Sequence, residues 1–172
     1  AGTRSFDMQM PKEVNRLVID ALSDYLFTAG VKSNSVATRE QSEGSNTYMV
    51  GNILMDTLRY NHQRMKKPEG FLLEPLDYLV FTLNRKALMA DEQKLARLLE
   101  ALATSAAGTP IVAPLRGQAR QLAERLQPQT FTFMPPLSYL EFGWLTAHAR
   151  GIVTDSGNVA EEATFNGVPC IT

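Results

Sequence analysis

Short apolar runs alternate with helical segments throughout residues 77–172, and this rhythm constrains the fold more than any other feature of the chain. The runs have the length of strands and lack the polar alternation of a strand with one face in water, so both faces of each must be covered. The runs lie at 78–82, 110–113, 131–133, 151–154 and 169–171, and the helical segments lie between them at 91–105, 118–126, 137–149 and 157–166. The pattern predicts a doubly wound α/β domain with a parallel sheet.

The first 76 residues show the same kinds of element with less regularity. Their apolar spacing predicts helices at 13–24, 33–41 and 53–65 and short strands at 24–28 and 47–50. Pro11 fits the first turn of the first helix, and Ser33 is expected to cap the second. The stretch 67–75, which contains prolines and a glycine, is predicted to be a loop or linker.

Composition excludes several classes of protein. The chain carries 17 basic and 18 acidic side chains in 172 residues, whereas general nucleic-acid binders show a basic excess or a basic stripe. Its one cysteine, Cys170, excludes an intramolecular disulfide and fits a reducing compartment. With only two histidines, His62 and His148, a zinc site is not expected.

Neither a membrane span nor a signal peptide is predicted. No stretch approaches the roughly 18–20 apolar residues that a span needs, and the first residues are polar and charged. The chain begins with Ala1 rather than Met and ends at Thr172 in a predicted strand. We therefore expect these residues to be a piece of a longer protein.

The turn from Thr154 to Gly157 is the most informative stretch for function. A predicted strand ends there, small residues follow, and a helix begins. The free backbone N–H groups of a helix start, with the Ser156 hydroxyl and the access that Gly157 allows, suit a phosphate or diphosphate. The alternative is that Asp155 or Ser156 only caps the helix.

Two carboxylates, Glu161 and Glu162, follow in the first turns of the same helix. Acidic residues are favourable there because they complement the helix dipole, and this is one explanation of the pair. The other is that one of them faces the ligand and accepts hydrogen bonds from a ribose diol.

An ordered set of motifs along the chain resembles the non-hydrolysing UDP-N-acetylglucosamine 2-epimerases. The set is more specific than any motif within it because order and spacing both agree. It consists of RSFD at 4–7, MPKEVNR at 10–16, Asp24, VGN at 50–52, Asp56, TDSG at 154–157, EEA at 161–163 and GVP at 167–169.

The resemblance implies a cytoplasmic isomerase made of two Rossmann-like domains in the glycosyltransferase-B arrangement. Residues 1–76 would be the end of the first domain and the interdomain segment, and 77–172 would be most of the second, UDP-binding domain. The resemblance implies a UDP-sugar ligand, no cofactor, no metal, no nucleic-acid or membrane partner, and a homodimer. The implied role is in the synthesis of surface polysaccharides.

The resemblance also implies ligand contacts for five residues. Arg16 would contact the phosphates, Ser156 and Gly157 would hold the diphosphate, Glu162 would bind the ribose hydroxyls, and Phe142 would lie near the uracil. Two of these residues have simpler explanations. Arg16 fits an ion pair four residues along its helix, with Asp20, and Phe142 fits the core.

The chain departs from the family at positions that carry the chemistry. Lys12 stands where the family has a glutamate implicated in catalysis, and Asn84 stands where it has a histidine implicated in catalysis. Arg116 lies near a further family histidine, and Asn158 replaces the second glycine of the diphosphate turn. Asparagine cannot titrate, and lysine carries the opposite charge, so no catalytic residue is assigned.

Three hypotheses follow. The first is a UDP-N-acetylglucosamine 2-epimerase, which removes the proton at sugar C2, eliminates UDP and adds it back with the opposite configuration. The second is an epimerase-like protein that binds a UDP-sugar but has lost or altered the reaction. The third is another nucleotide-sugar enzyme of the same architecture, such as a glycosyltransferase, which the MPKEVNR segment disfavours.

Overall fold

The computed structural model describes residues 1–41, 43–126 and 131–172, which form two compact units, Ala1–Arg59 and Tyr60–Thr172. The helices are α1 Pro11–Leu22, α2 Val31–Glu40, α3 Ile53–Asn61, α4 Lys86–Ala90, α5 Glu92–Ser105, α6 Gly117–Leu126, α7 Tyr139–Ala147 and α8 Gly157–Asn166. The strands are β1 Tyr25–Thr28, β2 Asn46–Met49, β3 Leu79–Thr82, β4 Ile111–Ala113, β5 Phe131–Phe133, β6 Gly151–Thr154 and β7 Cys170–Ile171.

The first unit is built on a parallel pair of strands. β1 pairs with β2 in the register Tyr25↔Asn46, and α2 packs on both strands. Leu26 and Thr28 of β1 are buried, while the alternating residues Tyr25 and Phe27 are exposed. One face of this small sheet is therefore covered by the unit itself.

The helix starts of the first unit test two expectations. Pro11 does lie in the first turn of α1, where its missing N–H costs nothing. The expectation that Ser33 caps α2 is wrong, because the helix begins earlier, at Val31. Ser33 is in the first turn, and its hydroxyl donates to the Gly30 carbonyl at 2.9 Å and accepts from the Gly30 N–H at 3.2 Å.

The second unit contains the predicted parallel sheet, and the α/β fold class is confirmed. Its strand order is β5-β4-β3-β6-β7, and every neighbouring pair is parallel. Alternate residues of the central strands feed two separate cores, because successive side chains of a strand point to opposite faces. Val80 lies in a core with Leu145 of α7, and Phe81 lies in a core with Leu99 of α5.

The segment before β3 packs within the second unit, so the two compact units divide earlier than the expected start of the second domain at residue 77. Phe71 is buried edge-on against Tyr78, with ring centroids 5.0 Å apart, and also meets Trp144 at 6.3 Å. The Lys67 ammonium lies 5.7 Å from the centre of the Trp144 ring. The assignment of the two units to a first and a second enzyme domain stays a prediction.

The strand order creates one switch point in the sheet. From β3 the chain builds outward through β4 to β5, and then returns to the other side of β3 to form β6 and β7. In an open parallel sheet a crevice forms at such a point, beyond the carboxyl ends of the strands. The loops after β3 and β6 therefore meet there.

Among the helices that the structure describes, none combines the length and the apolar character needed to cross a bilayer.

Candidate functional site

A cavity of about 300 Å³ opens at the carboxyl ends of β3 and β4. Asn84 and Arg116 contribute to its wall from the loops after these strands, and Phe142 of α7 and Val159 of α8 line it from the helices. The sheet places this cavity beside the switch point, where ligands of doubly wound folds bind.

Phe142 belongs to this wall and to neither apolar core. It is half-buried, and the two clusters of buried apolar side chains in the second unit do not include it. The alternative that Phe142 serves only as a core residue is therefore wrong. An aromatic face at a cavity is available for contact with a planar ligand.

Arg116 is held in place at the mouth of the cavity. Its Nη2 donates to the Leu137 carbonyl at 2.7 Å, which ties the loop after β4 to the segment before α7. The remaining N–H donors of the Arg116 guanidinium suit the oxygen atoms of an anionic ligand.

The turn after β6 does not use its polar side chains to cap α8. Ser156 occupies the cap position, but its side chain makes no capping hydrogen bond, and its own N–H donates to Thr154 Oγ1 at 3.0 Å. A methyl group added at Gly157 would meet nothing within 4 Å, so space is open beside the first helical residue. The cap alternative is therefore wrong for Ser156, and the helix start is accessible to a ligand.

Asp155 does not cap α8 either, because its carboxylate faces another strand end. It accepts hydrogen bonds from the Asn84 N–H at 2.8 Å and from the Arg85 N–H at 2.6 Å. The Arg85 Nε donates in return to the Asp155 carbonyl at 3.2 Å. These contacts join the loops after β3 and β6, and sequence spacing gave no signal of them.

Glu162 is a buried carboxylate on α8 and is only 8% exposed. Burial raises the pKa of this group, and the neighbouring charge of Glu161 raises it further. Within the described parts of the chain, no side chain or backbone N–H donates a hydrogen bond to it. Because Val159 lines the cavity and Glu162 follows three residues later, both lie on the same face of the helix.

Among the described residues no fully buried side-chain oxygen lacks a partner, so water reaches the Glu162 oxygens in the free chain. A ligand that displaces this water must supply donors in its place. Tyr139, whose pKa is raised by burial and by the charge of Glu162, shares the same surroundings. Carboxyl and phenol groups with raised pKa values beside a cavity are candidates for a functional role.

In the first unit, Glu13 holds the backbone of the segment that precedes α1. Glu13 is 1% exposed, and its Oε1 accepts from the N–H groups of Ser5 and Phe6, each at 2.9 Å. Phe6 has a φ of +59°, which is uncommon for a residue with a side chain, and these bonds hold it there. Lys12, which precedes Glu13, is exposed.

Glu13 also positions Arg16. The Arg16 Nη1 lies 3.2 Å from Glu13 Oε2, one helical turn away. The expected pair between Arg16 and Asp20 is not formed, because Asp20 is bound instead by Arg4 at 2.8 Å. Arg16 keeps a partly exposed guanidinium at a fixed position, which suits a role in binding anions.

Acid should weaken the first unit through Glu13. Hydrogen bonds from the Ser5 and Phe6 backbone are the main cause that lowers the pKa of Glu13 from its ordinary 4.5 to about 2. The carboxylate's contribution to stability is therefore complete above the ordinary pKa and is lost as the pH falls towards 2. We expect the urea midpoint, followed by the NMR signals of the Leu26 methyl groups, to fall over this interval.

The Glu13→Gln variant is the control, since it keeps the shape of the side chain and cannot titrate. Its urea midpoint should be lower than that of the parent at neutral pH and should change less between pH 4.5 and 2. Parallel pH curves for the two proteins would show that Glu13 does not carry this acid sensitivity.

No group of three or more histidine, cysteine, aspartate or glutamate side chains lies close enough to hold a metal ion within residues 1–41, 43–126 and 131–172.

Comparison with known proteins identifies the family of the chain. The sequence profile of the UDP-N-acetylglucosamine 2-epimerase family matches residues 1–172. The chain belongs to this epimerase family.

Two curated relatives of the epimerase-family chain illustrate the match. A UDP-2,3-diacetamido-2,3-dideoxy-D-glucuronate 2-epimerase of Pseudomonas aeruginosa is 34% identical over all of this chain and 49% of its own length. A UDP-N-acetylglucosamine 2-epimerase of Methanocaldococcus jannaschii is 30% identical over all of this chain and 51% of its own length. The chain thus spans about half the length of the curated relatives that it matches.

Solved structures of epimerases match the fold. The Methanocaldococcus jannaschii UDP-GlcNAc 2-epimerase in complex with UDP-GlcNAc and UDP has a TM-score of 0.84, with 30% identity, over 100% of this chain and 51% of its own. The Neisseria meningitidis UDP-GlcNAc 2-epimerase bound to UDP-GlcNAc has a TM-score of 0.81 over 100% of this chain and 51% of its own. At 21% identity, the second comparison concerns the fold alone.

The structure brings four of the five candidate ligand residues, namely Phe142, Ser156, Gly157 and Glu162, to the switch-point end of the second unit. Arg16 lies in the first unit. Sequence reasoning missed the roles of two carboxylates, Glu13, which holds the backbone of Ser5 and Phe6, and Asp155, which holds the backbone at Asn84. Each is a carboxylate that accepts from two consecutive backbone N–H groups, and such pairing is visible only in three dimensions.

Proposed function

We propose that this chain provides the UDP-binding part of a UDP-sugar 2-epimerase that interconverts UDP-N-acetylglucosamine and UDP-N-acetylmannosamine. The observation that carries the proposal is Glu162, a largely buried carboxylate on the cavity face of α8, whose oxygens receive no hydrogen bond from the described residues and remain open to solvent. A ribose diol supplies two O–H donors to such a group, and these would replace the water that reaches the carboxylate in the free chain.

The neighbouring groups fit the rest of a uridine diphosphate. The start of α8, with the uncommitted Ser156 hydroxyl and open space at Gly157, would receive the diphosphate. Phe142 on the cavity wall would lie near the uracil. The family resemblance also implies a phosphate contact for Arg16, whose guanidinium is held by Glu13.

The reaction proposed for the whole protein removes the proton at sugar C2 and breaks the bond from C1 to UDP. The resulting double bond then takes UDP back at C1 and a proton on the opposite face of C2. UDP remains bound between these steps, so a site that holds the diphosphate keeps the leaving group ready for return. No redox cofactor is required on this route, because each step moves only a proton or the UDP leaving group and none transfers a hydride.

A second candidate substrate is a UDP-linked, diacetamido-substituted glucuronate, which the Pseudomonas aeruginosa relative at 34% identity is named for. Such a sugar carries an additional carboxylate. Lys12 and Arg116 add positive charge where the family has a glutamate and, nearby, a histidine, and this favours a more anionic ligand.

Calorimetric titration of the chain with UDP tests the binding part of the proposal. We expect saturable binding of UDP and much weaker binding of uridine, because uridine lacks the diphosphate that the α8 start would hold. A folded chain that binds neither compound would contradict the proposal.

NMR of the sugar C2 configuration tests the chemistry, with UDP-N-acetylglucosamine and the diacetamido-glucuronate as parallel substrates. We expect this chain alone not to turn over either sugar, and turnover to require the rest of the protein. UDP binding by the complete protein without any change at C2 would favour the binding-only alternative, which Asn84 supports because an amide cannot act as an acid or base. Acceptor-dependent release of UDP would indicate a glycosyltransferase.

We propose a cytoplasmic location and a homodimeric assembly for the whole protein on the basis of the family resemblance. Light scattering after size-exclusion chromatography would measure the assembly.

A further inference from the structure

Two loops of the second unit are joined at the switch point by a single aspartate. Asp155 accepts from the Asn84 N–H at 2.9 Å with Oδ1 and at 2.8 Å with Oδ2, and from the Arg85 N–H at 2.6 Å with Oδ2. Asn84 lines the cavity, and Asp155 is followed directly by Ser156 and Gly157. The residue therefore links the cavity wall to the turn at the start of α8.

The strands beneath this link are already in register. Thr82 is the register partner of Thr154 in the pair of β3 with β6. Their hydroxyl groups share a hydrogen bond at 2.5 Å, and Thr154 Oγ1 also accepts from the Ser156 N–H at 3.0 Å. Strand pairing ends at these threonines, and the Asp155 contacts continue the connection into the loops.

The charge of Asp155 needs an explanation, because a carboxylate near a proposed diphosphate would repel it. Its oxygens point at backbone N–H groups of the loop after β3, whose dipoles oppose the negative charge. Asp155 is thus occupied with the protein and is not a ligand for the substrate.

We infer that Asp155 is a positioning residue for nucleotide binding. It holds the cavity wall at Asn84 and Arg85 against the Ser156–Gly157 turn, so that wall and turn act as one preformed surface for the UDP moiety. This role rests on the proposed function for its ligand. The clamp, by which we mean the hydrogen bonds from the Asn84 and Arg85 N–H groups to Asp155, is present in the free chain. Preformed sites bind more tightly because fewer loops and side chains lose conformational freedom when the ligand binds.

The experiment compares Asp155→Asn with the parent and with the matched control Asp91→Asn. Asp91 lies in the same unit and accepts from the Lys94 N–H at the start of α5, so its replacement removes an equal charge away from the cavity. In Asp155→Asn we expect the Asn84 and Arg85 amides to exchange hydrogen at least about tenfold faster, because the amide group presents donors of its own where the carboxylate accepted.

The binding readout separates positioning from general stability. Asp155→Asn should weaken UDP by about five- to tenfold and uridine by less than about twofold, because the displaced turn contacts the diphosphate. Asp91→Asn should leave both affinities within about twofold. Equal weakening of UDP and uridine, or unchanged UDP affinity with faster amide exchange, would overturn the positioning role.

Two further outcomes are decisive. If Asp155→Asn does not fold, UDP is titrated into the parent protein and followed by NMR. UDP should then shift the signals of the Asn84 and Arg85 amides together with those of Ser156 and Gly157. Unshifted Asn84 and Arg85 signals would overturn the inference. If the parent binds no UDP, the proposed function fails, and protected Asn84 and Arg85 amides would then show a structural clamp without the positioning role.

Discussion

Replacement of Glu162 by glutamine is expected to weaken UDP binding by about five- to thirtyfold while raising the thermal stability of the free chain. Hydrogen bonds to a charged group contribute about 1.5–3 kcal/mol each against about 0.5–1.5 kcal/mol for neutral ones, so loss of the charge costs about 1–2 kcal/mol of binding. In the free chain the same change removes the charge of a largely buried carboxylate, whose burial raises its pKa, and burial of the neutral amide costs less. Opposite signs in affinity and stability are typical of a functional group.

The pH dependence of the parent should follow from the raised pKa of Glu162. The folded chain holds this proton more tightly than the unfolded chain, so stability falls as the pH rises through the interval above the ordinary pKa of 4.5. Affinity for UDP should change in the opposite direction and weaken as the carboxylate is protonated. Differential scanning calorimetry and titration calorimetry at matched pH values measure the two trends.

Glu161→Gln is the matched control, since it removes the same charge from the exposed neighbour on the same helix. Its effects on stability and on UDP affinity should stay within about 0.5 kcal/mol. If Glu162→Gln bound UDP as the parent does, or if it lost stability, the ribose role of Glu162 would be wrong.

Replacement of Leu145 by alanine is expected to destabilise the second unit by about 2–5 kcal/mol, the range for large-to-small changes of a buried leucine. Leu145 is fully buried in the core between the sheet and α7, beside Tyr78, whose hydroxyl donates to the Leu145 carbonyl at 2.8 Å. The cavity left by the missing side chain cannot be filled by a rigid sheet on one side.

Urea unfolding followed by Trp144 fluorescence measures this loss, because Trp144 is the one tryptophan of the chain and lies on the same helix as Leu145. Leu72→Ala is the control, since Leu72 is 88% exposed, and it should change the free energy of unfolding by less than about 0.5 kcal/mol. If Leu145→Ala lowered the free energy of unfolding by less than about 1 kcal/mol, the neighbouring core residues would have to fill the space left by the leucine side chain, and the expectation of a rigid core would be wrong.

Much of the fold could be predicted because most of its helices and strands follow from the local pattern of apolar, polar and small residues. The run from Leu79 to Thr82 is apolar throughout, and a strand buried on both faces requires such a composition. The helix from Gly157 to Asn166 lies where small residues follow a strand, and it ends at Gly167 with a left-handed φ of +69°. Short elements are harder to predict from sequence. The five residues of α4 carry too little periodicity to indicate a helix.

The candidate site could be predicted only in part. The order of motifs identified the family, and the turn at Ser156 was found from its helix start. The partners were not found: Arg16 pairs with Glu13 rather than Asp20, and Asp155 binds the loop after β3 rather than its own helix. The sequence position of a charged side chain is compatible with several ion-pair or hydrogen-bond partners, and the tertiary packing determines which of them lies within reach.

The sequence by itself determined the α/β class and the family, because burial on both faces of a sheet dictates residue types locally and because ordered motifs are read without coordinates. Only the tertiary structure decided the strand order, and with it the switch point between β3 and β6. It also decided that Asp155 reaches Asn84 across 71 residues and that Glu162 is largely buried on α8. These facts depend on which distant segments pack together, and local periodicity carries no record of that choice.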